Sequence, residues 1–151
     1  MAVSAEVVKQ LRDSTGVSVM ECKKALEEAG GDLEKATEIL KKRSASVVAK
    51  KSDRELAAGA VSAYVHNTNQ VGVLILLSCE TDFVSKHEEF IGLARDIAMH
   101  VAAMRPESVD VLLTQPFIKD PGKTIQDLLS SATQKFGERI EVSQMSCFSV
   151  L

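Results

Sequence analysis

Val3, Val7 and Leu11 recur every four residues and lay one apolar stripe along a first short helix. Thr15-Gly16 ends that helix. Ser18-Val19-Met20-Glu21 then has the form of a capping box, in which hydroxyl and carboxylate each accept from the other's free backbone N–H. It predicts a second helix carrying Cys22, Leu26 and Ala29 inward, closed at Gly30-Gly31, where glycine tolerates a left-handed cap. Asp32 opens a third helix with Leu33, Ala36, Ile39 and Leu40 as its stripe. Three helices this short bury little apolar surface, so residues 1–43 form a marginal small domain.

The pattern then thins. Lys41 to Arg54 holds six basic residues and one acid in an Ala- and Ser-rich stretch, which reads as a partly helical basic linker assigned to 44–58. Beyond it the period switches to two. Val61, Ala63 and Val65 alternate, Asn67-Thr68-Asn69-Gln70 is turn chemistry, and Val71 to Leu77 is a second, well-buried strand. Ser85-Lys86-His87-Glu88 has capping-box form again. It predicts a long helix with Phe90, Leu93, Ala94, Ile97, Ala98, Val101 and Met104 on one face, ended by Pro106. Val109 to Phe117 reads as extended and Asp120-Pro121-Gly122 as a turn. Ile125, Leu128, Leu129, Ala132 and Phe136 define a further helix closed by Gly137, and 139–150 a final strand. Residues 59–151 are thus an α+β core of about three antiparallel strands with helices packed on it.

Composition narrows the classes. At 151 residues with 45% hydrophobic and 26% charged positions, the chain has an ordinary globular make-up. A formal charge of −3 gives nucleic acid or an anionic membrane no broad attraction, so neither is expected as a partner. No apolar run is long enough to span a bilayer, and the start of the chain lacks the basic-then-apolar form of a signal peptide. Cys22, Cys79 and Cys147 are odd in number and widely spaced, which argues against a disulfide framework and for a reducing, cytoplasmic compartment.

Candidate chemistry is sparse. Pro121-Gly122-Lys123-Thr124 imitates the tail of a phosphate-binding loop, but Phe117 stands at its first glycine position and Pro121 has no N–H to offer. His66, His87 and His100 are scattered without metal-ligand spacing, and His100 reads as a boundary or core histidine. No cofactor is expected. Cys22 and Cys79 fall on apolar stripes as small buried thiols. The basic linker could meet phosphates, yet it has no interleaved aromatics for base stacking; a solvated linker, or one facing an acidic protein surface, fits better. Glu80-Thr81-Asp82-Phe83-Val84 stands out as a loop between a buried strand and a capped helix. Phe83 either folds back on Phe90 or is presented as a wedge for a partner's pocket. Periodicity leaves both open.

Two segments resemble signatures of the elongation factor Ts family: Thr15-Gly16-Val17-Ser18-Val19-Met20-Glu21-Cys22-Lys23-Lys24-Ala25-Leu26, and Cys79-Glu80-Thr81-Asp82-Phe83-Val84. Val48-Ala49-Lys50-Lys51, Tyr64-Val65-His66, Val71-Gly72-Val73-Leu74, Ala98-Met99-His100, Gln115-Pro116-Phe117 and Gly137-Glu138 are similar to further family blocks, in family order. The resemblance implies a ubiquitin-associated-like three-helix domain, a basic linker and an α+β core. It implies a nucleotide-exchange factor rather than an enzyme, one that releases GDP from elongation factor Tu. Asp82 and Phe83 would enter that partner's GTPase domain near its magnesium site, with Thr81 and Val84 beside them. Met20, Lys23 and Lys51 would be docking contacts and His66 a further one. Val19 departs from a family methionine, the helical hairpin of many members before Gln115 is missing, and the last strand lacks arginines that relatives tend to carry. An RNA-binding or ribosome-associated module acting through the linker is the rival reading.

The last strand also bears on assembly. Ile140, Val142, Phe148 and Val150 share one parity, Met145, Cys147 and Leu151 the other, so either a bulge shifts the register or something covers the second face. A frayed terminus is the plain alternative. Family members with two related core subdomains favour a homodimer through this sheet, since two copies would restore the second.

Overall fold

The computed structural model describes residues 2–150, so the sequence expectation at Leu151 lies outside the described residues. The chain divides into two units, residues 1–52 with 130–137, and residues 53–129 with 138–151.

The first unit holds three helices: α1 (Ala5–Thr15), α2 (Val19–Glu28) and α3 (Leu33–Lys50). Ser4 Oγ accepts from Val7 N and starts α1, and Gly16 ends it at φ 71°, a backbone angle that disfavours any side chain. Val8, Leu11, Val17, Cys22, Ala25, Leu26, Ala36 and Leu40 form the core, with Val3, Val7, Ala29, Leu33 and Ile39 at its margin. Only half of the first capping box forms. Ser18 Oγ accepts from Glu21 N at 3.3 Å, but the Glu21 carboxylate turns to Lys24 and to Arg43 of α3. Arg43 also reaches Glu28 at 2.7 Å, clamping α3 onto α2.

Helix α3 does not stop near Arg43. It runs to Lys50, because Lys41, Lys42, Arg43, Ala45, Ala49 and Lys50 are good helix formers and Ser44 continues the buried line of Ala36 and Leu40. The first half of the basic linker is therefore regular helix. Residues 130–137 group with this unit, where Ser44 Oγ hydrogen-bonds Gln134 Oε1 and Lys51 Nζ donates to Gly137 O at 2.7 Å.

The second unit is built on an antiparallel sheet of β1 (Ala58–Val65), β2 (Val71–Cys79) and β5 (Glu141–Ser149), in the order β1-β2-β5. One face carries Val73, Ile75, Leu77 and Cys79, all buried, under the long helix α5 (Glu88–Met104). Phe90, Ala94, Ile97, Ala98 and Val101 form the buried side of α5. Met104, expected on that side, is exposed, because the helix ends there with Arg105 in the left-handed cap ahead of Pro106.

The other face is open. Val61 and Val65 on β1 are 69% and 62% exposed, and the half-buried parity of that strand is Ala58, Ala60, Ser62 and Tyr64. Alternation thus locates a strand, but here its larger apolar residues look away from α5. In β5 the register shifts opposite Leu76 and Leu77, leaving Ser143 as an extra residue. This bulge reconciles the mixed parity. Val142 pairs with Leu77 and is buried, whereas Phe148 pairs with Gly72 on the open face and is 76% exposed.

Four local expectations are corrected. Glu80 to Val84 is not a plain loop, since Asp82–Ser85 forms a one-turn helix, α4. The second capping box does not form. Ser85 is buried in that turn and donates to Asp82 O, so His87 caps α5, accepting Glu89 N on Nδ1. Val109–Thr114 is a short helix, α6, not extended chain. Ser108 Oγ accepts from Val111 N and Leu112 is buried, and these outweigh the β-branched valines. Asp120-Pro121-Gly122 is not the turn. It belongs to β4 (Asp120–Thr124), which pairs with β3 (Pro116–Phe117) around Ile118-Lys119. Thr124 and Asp127 exchange backbone N–H bonds to open α7 (Ile125–Phe136), so the phosphate-loop mimic is a strand running into a helix cap.

Candidate functional site

β2 ends at Cys79, the chain turns at Glu80-Thr81, and α4 follows at once. Residues on one helical turn are about 100° apart, so not all four side chains of α4 can face inward. Val84 and Ser85 are buried; Asp82 and Phe83 point out, and Phe83 is 83% exposed. Phe90 is fully buried on α5. The two phenylalanines do not share one apolar site: Phe83 is presented, not folded back.

The turn is held on both sides. Cys79 Sγ donates to Thr81 O at 3.3 Å, and burial, then the Glu138 carboxylate, push this thiol's pKa up. Glu138 Oε2 accepts from Glu80 N and Thr81 N, each at 3.0 Å, and Glu138 Oε1 accepts from the Thr81 hydroxyl at 2.5 Å. In return Glu80 Oε1 accepts from Arg139 N at 2.7 Å, and Glu80 Oε2 pairs with Arg54 at 3.5 Å. Arg139 also donates to Arg54 O at 2.6 Å and to Glu141. In the sequence Glu80 stands only as part of the loop and its signature, Glu138 only as part of a family block, and Arg139 has no role at all. Their signal is conformational, since they meet only once β5 lies beside β2.

The remaining expected contacts fall elsewhere. Thr81, Asp82 and Phe83 are adjacent on the surface, but Val84 anchors the turn from within. His66 follows β1, where its N–H bonds Val71 O, and Tyr64 Oη lies 3.3 Å from its Nδ1. That is the far end of the hairpin from Cys79, about 26 Å away at ~3.3 Å per strand residue. Met20 and Val19 are exposed at the start of α2, and Lys23 stands one turn on, 3.9 Å from Glu27. Lys51 spends its ammonium on Gly137 O.

The other titratable candidate is internal. His100 is fully buried on α5; Ile118 N donates to its Nδ1, so the proton sits on Nε2 and is given to Gln115 Oε1 at 3.0 Å. Burial pushes its pKa down, partly opposed by the Gln115 bond. It is a core histidine that ties α5 to the β3–β4 hairpin. Among the described residues no group of three or more His, Cys, Asp or Glu could hold a metal ion, and no helix is long and apolar enough to cross a membrane.

The sequence model of the family described as "Elongation factor TS" matches residues 2–111. The chain belongs to the elongation factor Ts family. It is 39% identical to the elongation factor Ts of Thermosipho melanesiensis, with 98% of each chain covered. Identity is 40% to that of Leptospira biflexa serovar Patoc, over 99% of this chain and 98% of the relative. To that of Desulforamulus reducens it is 38%, over 93% and 85%. The Thermosipho alignment spans 193 positions against a chain of 151, so that relative carries residues with no counterpart here. Membership makes this an elongation factor of protein biosynthesis.

Proposed function

We propose that the chain is a guanine-nucleotide exchange factor that binds elongation factor Tu and speeds its loss of GDP through the exposed turn Asp82-Phe83. The observation that carries this reading is Phe83, 83% exposed on a turn anchored by Val84 and by Glu138. Leaving a phenylalanine in water forfeits about 1.5–3 kcal/mol of burial, a loss that insertion into a partner's pocket recovers. A rigid aromatic anchor beside an acid is also the composition of an interface hot spot. Inserted near the bound magnesium, Phe83 would separate elements that hold the nucleotide and Asp82 would disturb the metal's surroundings. Binding that favours the nucleotide-free partner must weaken the nucleotide by the same factor. The chain itself performs no covalent step in this scheme and needs no cofactor.

Met20, exposed with Val19 on the first unit, and Lys23 one turn on would supply a separate docking contact. Lys51 can join only by giving up Gly137 O, and His66 would touch a different part of the partner from Phe83. The basic-linker rival has less to work with. Arg43, Lys51 and Arg54 already hold protein oxygens, which leaves a small footprint for phosphates. Release of a fluorescent GDP from elongation factor Tu tests the proposal. The chain should accelerate it and Phe83→Ala should do so far more weakly; no acceleration by the parent chain would overturn it.

The open sheet face supports a second element of the reading, a homodimer. Val61, Val65, Leu74, Phe148 and Val150 expose apolar side chains across three adjacent strands, the kind of continuous patch a monomer rarely leaves in water. A second copy packed on this face would cover it. Light scattering should give twice the 16.3 kDa chain mass, and Phe148→Glu should halve that value. A monomer in the parent protein would sink the dimer.

A further inference from the structure

We infer that Glu138 is the positioning residue for the exposed turn: it sets the pose of Asp82 and Phe83 by holding the backbone immediately before them. The inference rests on the reading that Phe83 drives nucleotide release, and it concerns how the fold makes that side chain effective.

A one-turn helix has too few internal hydrogen bonds to hold itself. Thr81 is its N-cap residue by backbone angle, yet its hydroxyl caps nothing in α4. That hydroxyl goes to Glu138 Oε1, while Glu138 Oε2 takes the N–H groups of Glu80 and Thr81. One carboxylate therefore collects three donors from two consecutive residues, and hydrogen bonds to an ionised acceptor are the stronger kind. Glu80 answers by accepting Arg139 N, the backbone N–H next to Glu138. Each glutamate thus caps the other's segment, and the two segments register against each other without strand pairing. Gly137 delivers Glu138 to this position. It closes α7 at φ 71° and donates to Thr133 O, and a side chain at that angle would be strained. Arg54 pairs with Glu80 and lends its carbonyl to Arg139, so the second glutamate is held in turn.

Phe83 lies two residues beyond the clamped Thr81, with Val84 buried just after it. Fixing both flanks sets where the Phe83 Cα–Cβ bond leaves the surface, and positioning of this kind acts on the maximal rate rather than on encounter.

The test compares the full-length parent with Glu138→Ala, Glu138→Gln, Phe83→Ala and the double variant Glu138→Ala/Phe83→Ala. In Glu138→Ala, amide hydrogen exchange at Glu80 and Thr81 should rise about tenfold or more, while amides of α5 hold their protection. The maximal GDP release rate from elongation factor Tu should fall about tenfold, with the half-saturating concentration of the chain little changed. Glu138→Gln keeps one oxygen able to accept both N–H groups and should recover at least half of the lost rate. The double variant should be no slower than Phe83→Ala, because Glu138 acts through Phe83. Unchanged amide exchange at Glu80 and Thr81, or losses that multiply in the double variant, would overturn the inference. A parent-like rate for Phe83→Ala alone would instead strike the reading beneath it. That failure is visible without reference to Glu138.

Discussion

Phe83 and Phe90 are seven residues apart and share one side chain, yet the fold uses them in opposite ways. Phe90 sits on a seventeen-residue helix pressed against the sheet and has no exposed surface. Phe83 sits on a four-residue turn and is almost wholly exposed. The long helix has an apolar stripe to bury, and Phe90 lies on it. The short turn buries only Val84 and Ser85 and is steadied by carboxylate-to-backbone bonds at its base, which hold a segment without enclosing it. Core packing makes one phenylalanine a stability residue. Polar anchoring leaves the other free to be a contact.

Truncating each ring should divide stability from function cleanly. Phe90→Ala should cost about 3–5 kcal/mol of folding free energy, enough to unfold much of the second unit in a denaturant titration. Should it cost under ~1 kcal/mol, the contrast collapses. Phe83→Ala should melt within about 0.5 kcal/mol of the parent, as surface changes do, while the nucleotide release rate drops about thirtyfold, the loss of one hot-spot anchor. An early melt in that variant would return Phe83 to the core. Asp82→Ala should slow release several-fold, roughly 1 kcal/mol of coupling, again with little change in stability. Normal exchange there would confine the site to the ring.

The gentlest probe is acid. His100 is buried neutral on the same helix as Phe90, and its folded-state pKa lies below the ordinary value of about 6.5. The unfolded chain therefore binds the proton first. The stability that depends on neutral His100 is complete above about pH 6.5, declines as the pH falls below it, and levels off under the folded-state pKa. His100→Gln should flatten that slope in equilibrium unfolding at a series of pH values. A slope unchanged by the substitution would assign the acid response to other groups. Phe83→Ala should leave the slope as it is.

Much of this arrangement is legible in one dimension, and the misreadings share a cause. The stripe through Phe90, Ala94, Ile97 and Val101 is long enough that only a helix accommodates it, and Val71 to Leu77 reads as a well-buried strand, which takes the centre of the sheet. Gly16 and Gly30-Gly31 mark helix ends because their left-handed backbone needs no tertiary partner. Ser85 does not cap α5 as its spacing predicts, because hydroxyls have several local choices and the one it takes depends on its burial. Val61 and Val65 were legible as strand but not as open face, since alternation does not say which side a helix will cover. In the site, Thr81 to Phe83 could be found from the residues and their family resemblance, but only the fold shows that Phe83 does not fold back on Phe90. Glu138 lies 57 residues from Thr81 and enters the site only through the pairing of β5 with β2.

The thiol beneath the turn gives this region a chemical clock. Cys147 is exposed, whereas Cys79 is sealed off, donates to Thr81 O, and is kept protonated by burial and by the negative charge beside it. An alkylating reagent needs both access and thiolate, so it should mark Cys147 within its ordinary reaction time and reach Cys79 only when the base of the turn lifts. Where reclosing outpaces alkylation, the labelling rate at Cys79 is the intrinsic thiol rate multiplied by the open fraction. That fraction can be timed in the unmutated protein, with and without the proposed partner, so the molecule reports the motion of the turn that carries Phe83.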